Sequence, residues 1–207
     1  TGSDYLGQIN PETPMPRPLD DLTHALLDAA RKAGADAADA MAVQSTSLSI
    51  DVRQGRLEEA QRAEGVDLGL RVFVGQRAAI VSSSDTRDAT LATMAERAVA
   101  MAREAPADPH AGLADAAALA VARDMSDLDL HDDAPEPSAA MLEETARRAE
   151  AAALAVPGVT QVSSAGAGFG SRAVHLAATN GFSGGYRRSD HGLSVTAISG
   201  TGTGMER

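Results

Sequence analysis

Gly166-Ala167-Gly168-Phe169-Gly170-Ser171 comes nearer to a glycine-rich phosphate cradle than any other stretch of this 207-residue chain. A dinucleotide fingerprint needs a further Gly or Ala at position 171, followed by a helix. Ser171 stands there, and Arg172-Ala173-Val174-His175-Leu176 reads as a strand. The glycines are therefore expected to form a flexible strand connection. Asp124, Asp127, Asp129, Asp132 and Asp133 make an acidic cluster around Asp127-Leu128-Asp129-Leu130-His131. A calcium loop would need Asp or Asn at its fifth position and Gly at its sixth. His131 and Asp132 occupy those places. Leu128 and Leu130 alternate like a short edge strand, so the expectation is a solvated acidic loop or edge, with adventitious cation binding as the weaker alternative.

The histidines are His24, His110, His131, His175 and His191. None has an adjacent Glu and a second His at helical spacing, so a zincin-type site is absent from the sequence. His24 is expected on the surface of a helix and His175 on a sheet face. Ser189-Asp190-His191 places three triad residue types in a row, but neighbours on a strand point to opposite faces and cannot assemble a triad. No glycine-flanked nucleophile elbow exists. Arg187-Arg188 and Arg147-Arg148 read as surface salt-bridge partners. The chain contains no Cys, which removes thiolate zinc sites and cysteine nucleophiles. No catalytic, metal-binding or ligand-binding role is assigned to any position on this evidence.

The elements that would position these residues follow from periodicity. Pro18 leads into a helix from about Leu19 to Ala33, with Leu19, Leu22, Leu26, Ala29, Ala30 and Ala33 on one face and Gly34 as its stop. Leu48, Ile50 and Val52 alternate with polar residues as a half-buried strand, turned by Gln54-Gly55. Arg56–Ala63 could return as a polar strand. Val66, Leu68, Leu70, Val72 and Val74 give the clearest period of two. Gly75-Gln76 fits a hairpin turn with Gly first. The next strand faces inward with either Ala78, Ile80 and Ser82 or Ala79 and Val81. Ser84 or Asp85 is expected to cap a helix running to about Arg103, with Leu91, Met94, Ala95, Ala98, Met101 and Ala102 as its stripe. Residues 105–136 are mixed and broken by prolines. Ser138 is expected to cap a third helix, Ala139–Ala155, ended by Pro157-Gly158. Strands follow at about 159–165, 171–179 and 183–198, with Asn180-Gly181 as a hairpin signal. This order predicts an α+β fold with a mostly antiparallel or mixed sheet and helices packed on it.

Composition bounds the rest. The net charge is -11, from 29 acidic and 18 basic residues, which opposes a phosphate-gripping nucleic-acid binder. An apolar share of 43% is too high for a disordered chain, and no apolar run is long enough to span a bilayer. Aromatics are only 2%, so the core must be built from Ala, Val, Leu, Ile and Met. Such a core gains little per residue and is expected to lean on backbone pairing or a partner chain. Residues 1–18 read as a Pro-rich tail, residues 19–207 as one domain, and the ending at Gly204-Met205-Glu206-Arg207 as part of a longer protein. No secretory signal is visible.

Several strings, in order, carry a family resemblance. They are Gly34-Ala35-Asp36-Ala37-Ala38-Asp39, Arg53-Gln54-Gly55-Arg56-Leu57-Glu58, Gly69-Leu70-Arg71-Val72-Phe73-Val74, Ser82-Ser83-Ser84-Asp85, Asp108-Pro109, Asp127-Leu128-Asp129-Leu130 and Gly204-Met205-Glu206-Arg207. The chain resembles the N-terminal part of the PmbA/TldE branch of the TldD/PmbA family, whose members also carry the label modulator of DNA gyrase. The resemblance implies a cytoplasmic metallopeptidase complex in which a TldD-like subunit pairs with a PmbA/TldE-like one. It implies peptide substrates, with roles in microcin maturation and antitoxin degradation. Zinc would sit in the TldD partner on a His-Glu-x-x-x-His motif beyond the region present here, with no cofactor in this chain. The expectation is a non-catalytic subunit that helps hold peptide, through a sheet edge near its C-terminal end. A homodimer, or a binding protein acting on gyrase or its inhibitors without DNA contact, is the alternative.

Overall fold

The computed structural model describes residues 17–206. Residues 1–16 of the expected Pro-rich tail lie outside the described residues. The chain runs α1 (Leu19–Ala33), β1 (Ala37–Arg53), β2 (Arg56–Val74), β3 (Arg77–Ser83), α2 (Asp88–Glu104), α3 (Ala139–Leu154), β4 (Val159–Ala178) and β5 (Ser183–Ser199). The strands form one sheet in the order β3-β2-β1-β4-β5, and every pairing is antiparallel. The α+β architecture expected from the order of elements is the one found.

All three helices pack on one face of this sheet. Alternate residues of β1 point to that face, and Ala38, Ala40, Ala42, Ile50 and Val52 are buried there. At one end α1 and α2 contribute Leu22, Leu26, Leu27, Ala30, Leu91, Met94, Ala98 and Val99 against Leu68, Leu70 and Val72 of β2. At the other end α3 lays Leu142 and Ala146 over Ile50, Val52 and Ala167. The small alanines on β1 let α1 approach the sheet closely, which is how a chain poor in aromatics packs its core.

The helix ends follow local chemistry. Gly34 closes α1 at φ +95, a left-handed conformation that costs glycine little. Ser138 caps α3 by accepting the Met141 amide at 3.2 Å, as expected. Replacing Ser138 with Ala should lower the unfolding free energy by about 1 kcal/mol, measured by urea denaturation.

Other expectations need correcting. Neither Ser84 nor Asp85 caps α2, whose N-cap position is Arg87. Asp85 instead turns the chain before the helix, accepting the Arg87 amide at 3.0 Å and the Thr90 hydroxyl at 2.7 Å. The Arg87 side chain beside it is the main cause holding its carboxyl well below the usual carboxylate range. On α2, Val99 is buried and Met101 is half exposed. The two strands expected between 56 and 74 are a single strand, β2. Its inward β3 partners include Ala79 and Val81, while Ile80 points outward and is 66% exposed. Leu128 lies in a short 3-10 turn, Ser126–Leu128, not in an edge strand.

The glycine stretch is the largest correction. Residues 166–170 form no connection, because β4 runs unbroken from Val159 to Ala178. The ladders to β1 and β5 continue through it, with Gly168 opposite Ser49 on one side and Gly192 on the other. Backbone pairing on both sides outweighs the low strand preference of glycine.

Residues 105–137 hold the sheet at its periphery. The Asp108 amide donates to the Gln76 carbonyl at 2.7 Å, and the Asn180 side chain donates to the Ala114 carbonyl at 2.9 Å. The segment then follows the outer edge of β5, where the Ser189 amide donates to the Leu130 carbonyl at 2.9 Å. It next crosses the helix-bearing face, and Glu136 pairs with Arg62 of β2.

Candidate functional site

The residues singled out by type meet mainly where this connecting segment follows β5. Arg123 lies 5.0 Å over the Phe182 ring and donates to the Ser183 carbonyl at 2.5 Å. Asp132 donates its amide to the Ser189 hydroxyl at 2.9 Å and accepts the Ala134 amide at 2.9 Å. Asp124 accepts the Ser126 amide at 3.0 Å, and hydrogen bonds from Ser126 hold its carboxyl below its ordinary value. Asp133 reaches towards His131 at 3.6 Å and Arg187 at 3.9 Å. These aspartates are spent on turning and tethering a loop. Among the described residues no three His, Asp or Glu side chains converge to hold a metal ion.

The row Ser189-Asp190-His191 is split between faces, as strand geometry requires. Ser189 accepts the Asp132 amide, His191 tilts against Phe169 with ring centres 5.1 Å apart, and Asp190 lies over Gly170. A β-carbon at Gly166 would come within 2.6 Å of an Asp51 carboxylate oxygen. Gly166 and Gly170 therefore make room for two carboxylates on the face without helices, a role unlike phosphate binding. Arg147 pairs with Glu143 at 2.5 Å along α3, as the surface reading expects.

Two polar constellations were not among the expected sites. Glu150 is buried on α3, and its two carboxylate oxygens accept the amides of Gln54 at 2.6 Å and Gly55 at 2.7 Å. Those residues form the β1–β2 turn, with φ +54 and +71. The signal was present in the sequence, since Glu150 continues the inward row of Leu142 and Ala146 at a spacing of four. The second is His175 of β4. Its Nδ1 lies 2.8 Å from the buried Thr23 hydroxyl of α1, and its Nε2 lies 3.3 Å from the Ser183 hydroxyl of β5. Burial pushes the His175 imidazole below its ordinary pKa.

β5 itself approaches β4 closely. A β-carbon on Gly185 would sit 2.3 Å from the Val174 carbonyl oxygen. Replacing Gly185 with Ala should therefore force the strands apart and cost about 1 to 3 kcal/mol of stability, read from the thermal or urea midpoint.

A one-sided antiparallel sheet, with polar side chains used to strap loops and turns to it, defines an α+β scaffold domain. Comparison with known proteins gives it a family. The PmbA/TldA metallopeptidase domain 1 matches residues 38–102, and the PmbA/TldA metallopeptidase central domain matches residues 132–207. The chain belongs to the PmbA/TldD family of metallopeptidase-related proteins. It is 35% identical over 120 residues to the metalloprotease PmbA of Escherichia coli O157:H7. That match takes in 58% of this chain and 26% of the relative, so it spans about a quarter of the relative's length. The fold is similar to TldE from Thermococcus kodakarensis, with a TM-score of 0.68 and 13% identity over 88% of this chain and 40% of that one. It is also similar to a protein from Bacteroides thetaiotaomicron described as a modulator of DNA gyrase, with a TM-score of 0.64 and 20% identity over 89% of this chain and 41% of that one.

Proposed function

We propose that this chain is the non-catalytic, PmbA/TldE-type member of a two-subunit metallopeptidase complex. The observation that carries the reading is the match to two consecutive domains of the PmbA/TldA metallopeptidases. In this reading zinc and the hydrolytic step belong to a TldD-like partner, and this chain closes and shapes the chamber around it. Substrates in this reading are peptides or unfolded proteins, with microcin maturation and antitoxin degradation as the outlets the family resemblance implies, and the setting is the cytoplasm. The outer edge of β5 between Ser189 and Ser199 suits peptide holding. Backbone groups already bond to it at both ends, from Leu130 at Ser189 and from Glu206 at Ser199. Leu193 and Val195 between them are exposed. An extended segment could add there as a strand. Zinc analysis of the full-length protein tests the division of labour. The proposal expects no tightly bound stoichiometric zinc, and one zinc per chain would contradict it.

The second reading is a binding protein that modulates gyrase or its inhibitors. What favours it is the description of a structural relative as a gyrase modulator. The net charge of -11 opposes direct contact with DNA, so such a role would run through protein contacts. A pull-down that recovers gyrase and no TldD-like chain would support it.

A further inference from the structure

The contacts at the two ends of the β5 edge fix which of its backbone groups face outward. The Ser189 amide donates to the Leu130 carbonyl at 2.9 Å. The Ser199 amide donates to the Glu206 carbonyl at 2.9 Å, and the Glu206 amide returns to the Ser199 carbonyl at 3.0 Å. Ser189 and Ser199 thus turn these groups away from β4. Hydrogen-bonding direction alternates along a strand. His191, Leu193, Val195 and Ala197 therefore point the same way, each with an N–H and a C=O. The inward set agrees, since the carbonyls of Thr196 and Ile198 accept the hydroxyls of Ser163 and Thr160 on β4. Among the described residues no backbone hydrogen bond reaches the outer side of β5 between Ser189 and Ser199.

The sheet treats its other long free edge differently. β3 pairs only with Leu68–Val74, so Arg56–Asp67 of β2 has a partner on one side alone. That stretch carries Arg56, Glu58, Glu59, Arg62 and Glu64, with a register shift opposite Asp51 and Val52. Charges and bulges of this kind discourage further pairing. Residues 191–198 of β5 include no Asp, Glu, Lys or Arg. Leu193 and Val195 lie opposite Ala167 and Ala165, so they point to the helix-bearing face, and both are exposed. Leu193 shares an apolar groove with Pro137, Met141 and Thr145. At the Ser189 end the carboxylates of Asp129, Asp132, Asp133 and Asp190 outnumber the adjacent Arg187 and Arg188. Glu206 stands at the other end.

Resting on the peptide-holding role of this edge, we propose that the window takes an extended segment of about seven residues, apolar at alternate positions and basic at its ends. Its backbone bonds to the outward groups of His191, Leu193, Val195 and Ala197. Its apolar side chains lie beside Leu193 and Val195 as cross-strand neighbours, and its basic ends meet the carboxylates. A second copy of β5 does not fit, because its 17 residues would run into Leu130 at one end and Glu206 at the other.

Amide exchange of the full-length protein, with and without a peptide of alternating valine and threonine that ends in lysines, tests it. The amides of His191, Leu193, Val195 and Ala197 should exchange freely without peptide and gain about tenfold or more protection with it. Those of Gly192, Ser194, Thr196 and Ile198 already face β4 and should not change. Val195→Pro should weaken binding about tenfold or more by fluorescence anisotropy. It should leave the fold intact, because the N–H it removes faces outward. Should Val195→Pro fail to fold, the alternation of exchange decides alone. The same peptide ending in glutamates should bind severalfold more weakly at low salt. No alternation, undiminished binding by a folded Val195→Pro, or equal affinity for the glutamate peptide would overturn the proposal. Protection of the odd-numbered amides before peptide is added would also overturn it. Such protection assigns the edge to a second copy if it grows with protein concentration, and to another part of the protein if it does not. None of these readings uses a TldD-like subunit, so the window can fail while the subunit role stands.

Discussion

Replacing Leu26 with Ala should lower the unfolding free energy by about 3 to 5 kcal/mol, read from urea denaturation followed by circular dichroism. Leu26 is fully buried on α1, in the cluster that also holds α2 residues and Ala38, Ala40 and Ala42 of β1. Alanines line the β1 side of that cluster, so the sheet floor itself offers no side chain that could fill the space. The substitution therefore combines lost transfer energy with a retained cavity. A domain of this size has about 5 to 15 kcal/mol in total, so this one change removes a large share. The comparison is Met101→Ala on α2. Met101 is half exposed and should change stability by less than about 0.5 kcal/mol.

Replacing Glu150 with Ala should cost about 2 to 4 kcal/mol, because hydrogen bonds to a charged group contribute more than neutral ones. Both carboxylate oxygens are engaged by consecutive amides of the β1–β2 turn. Their loss frees the hairpin tip and opens a gap beneath α3. Glu150→Gln can still accept one amide through its carbonyl oxygen and should lose about half as much. Exchange at the Gln54 and Gly55 amides gives the local readout. Unchanged protection at both in Glu150→Ala would show that the turn holds itself.

The contrast between these two residues shows what the sequence could disclose. Leu26 lies in a helix whose period and stop signal were plain, and α1 spans Leu19–Ala33 as read. The antiparallel hairpins at Gln54-Gly55 and Gly75-Gln76 were equally legible, since local chemistry fixes them. β1 was only half visible. It starts at Ala37, and its first half presents alanines that carry little alternation. β4 was broken by its glycines, whose extended conformation comes from ladders to β1 and β5. Glu150 and His175 act on partners far away in sequence, so no local pattern reveals what they hold. The acidic loop offered residue types suited to metal binding, yet folding spends them on turns and on the edge of β5.

The proposed role makes this chain the partner of a zinc-bearing subunit, and the direct measurement is peptide cleavage. A TldD-like subunit should be assayed on an unstructured peptide alone, with this protein added, and beside this protein on its own. Under that role, cleavage is expected only in the mixture. Cleavage by the TldD-like subunit at the same rate without this protein, or cleavage by this protein alone, would contradict it.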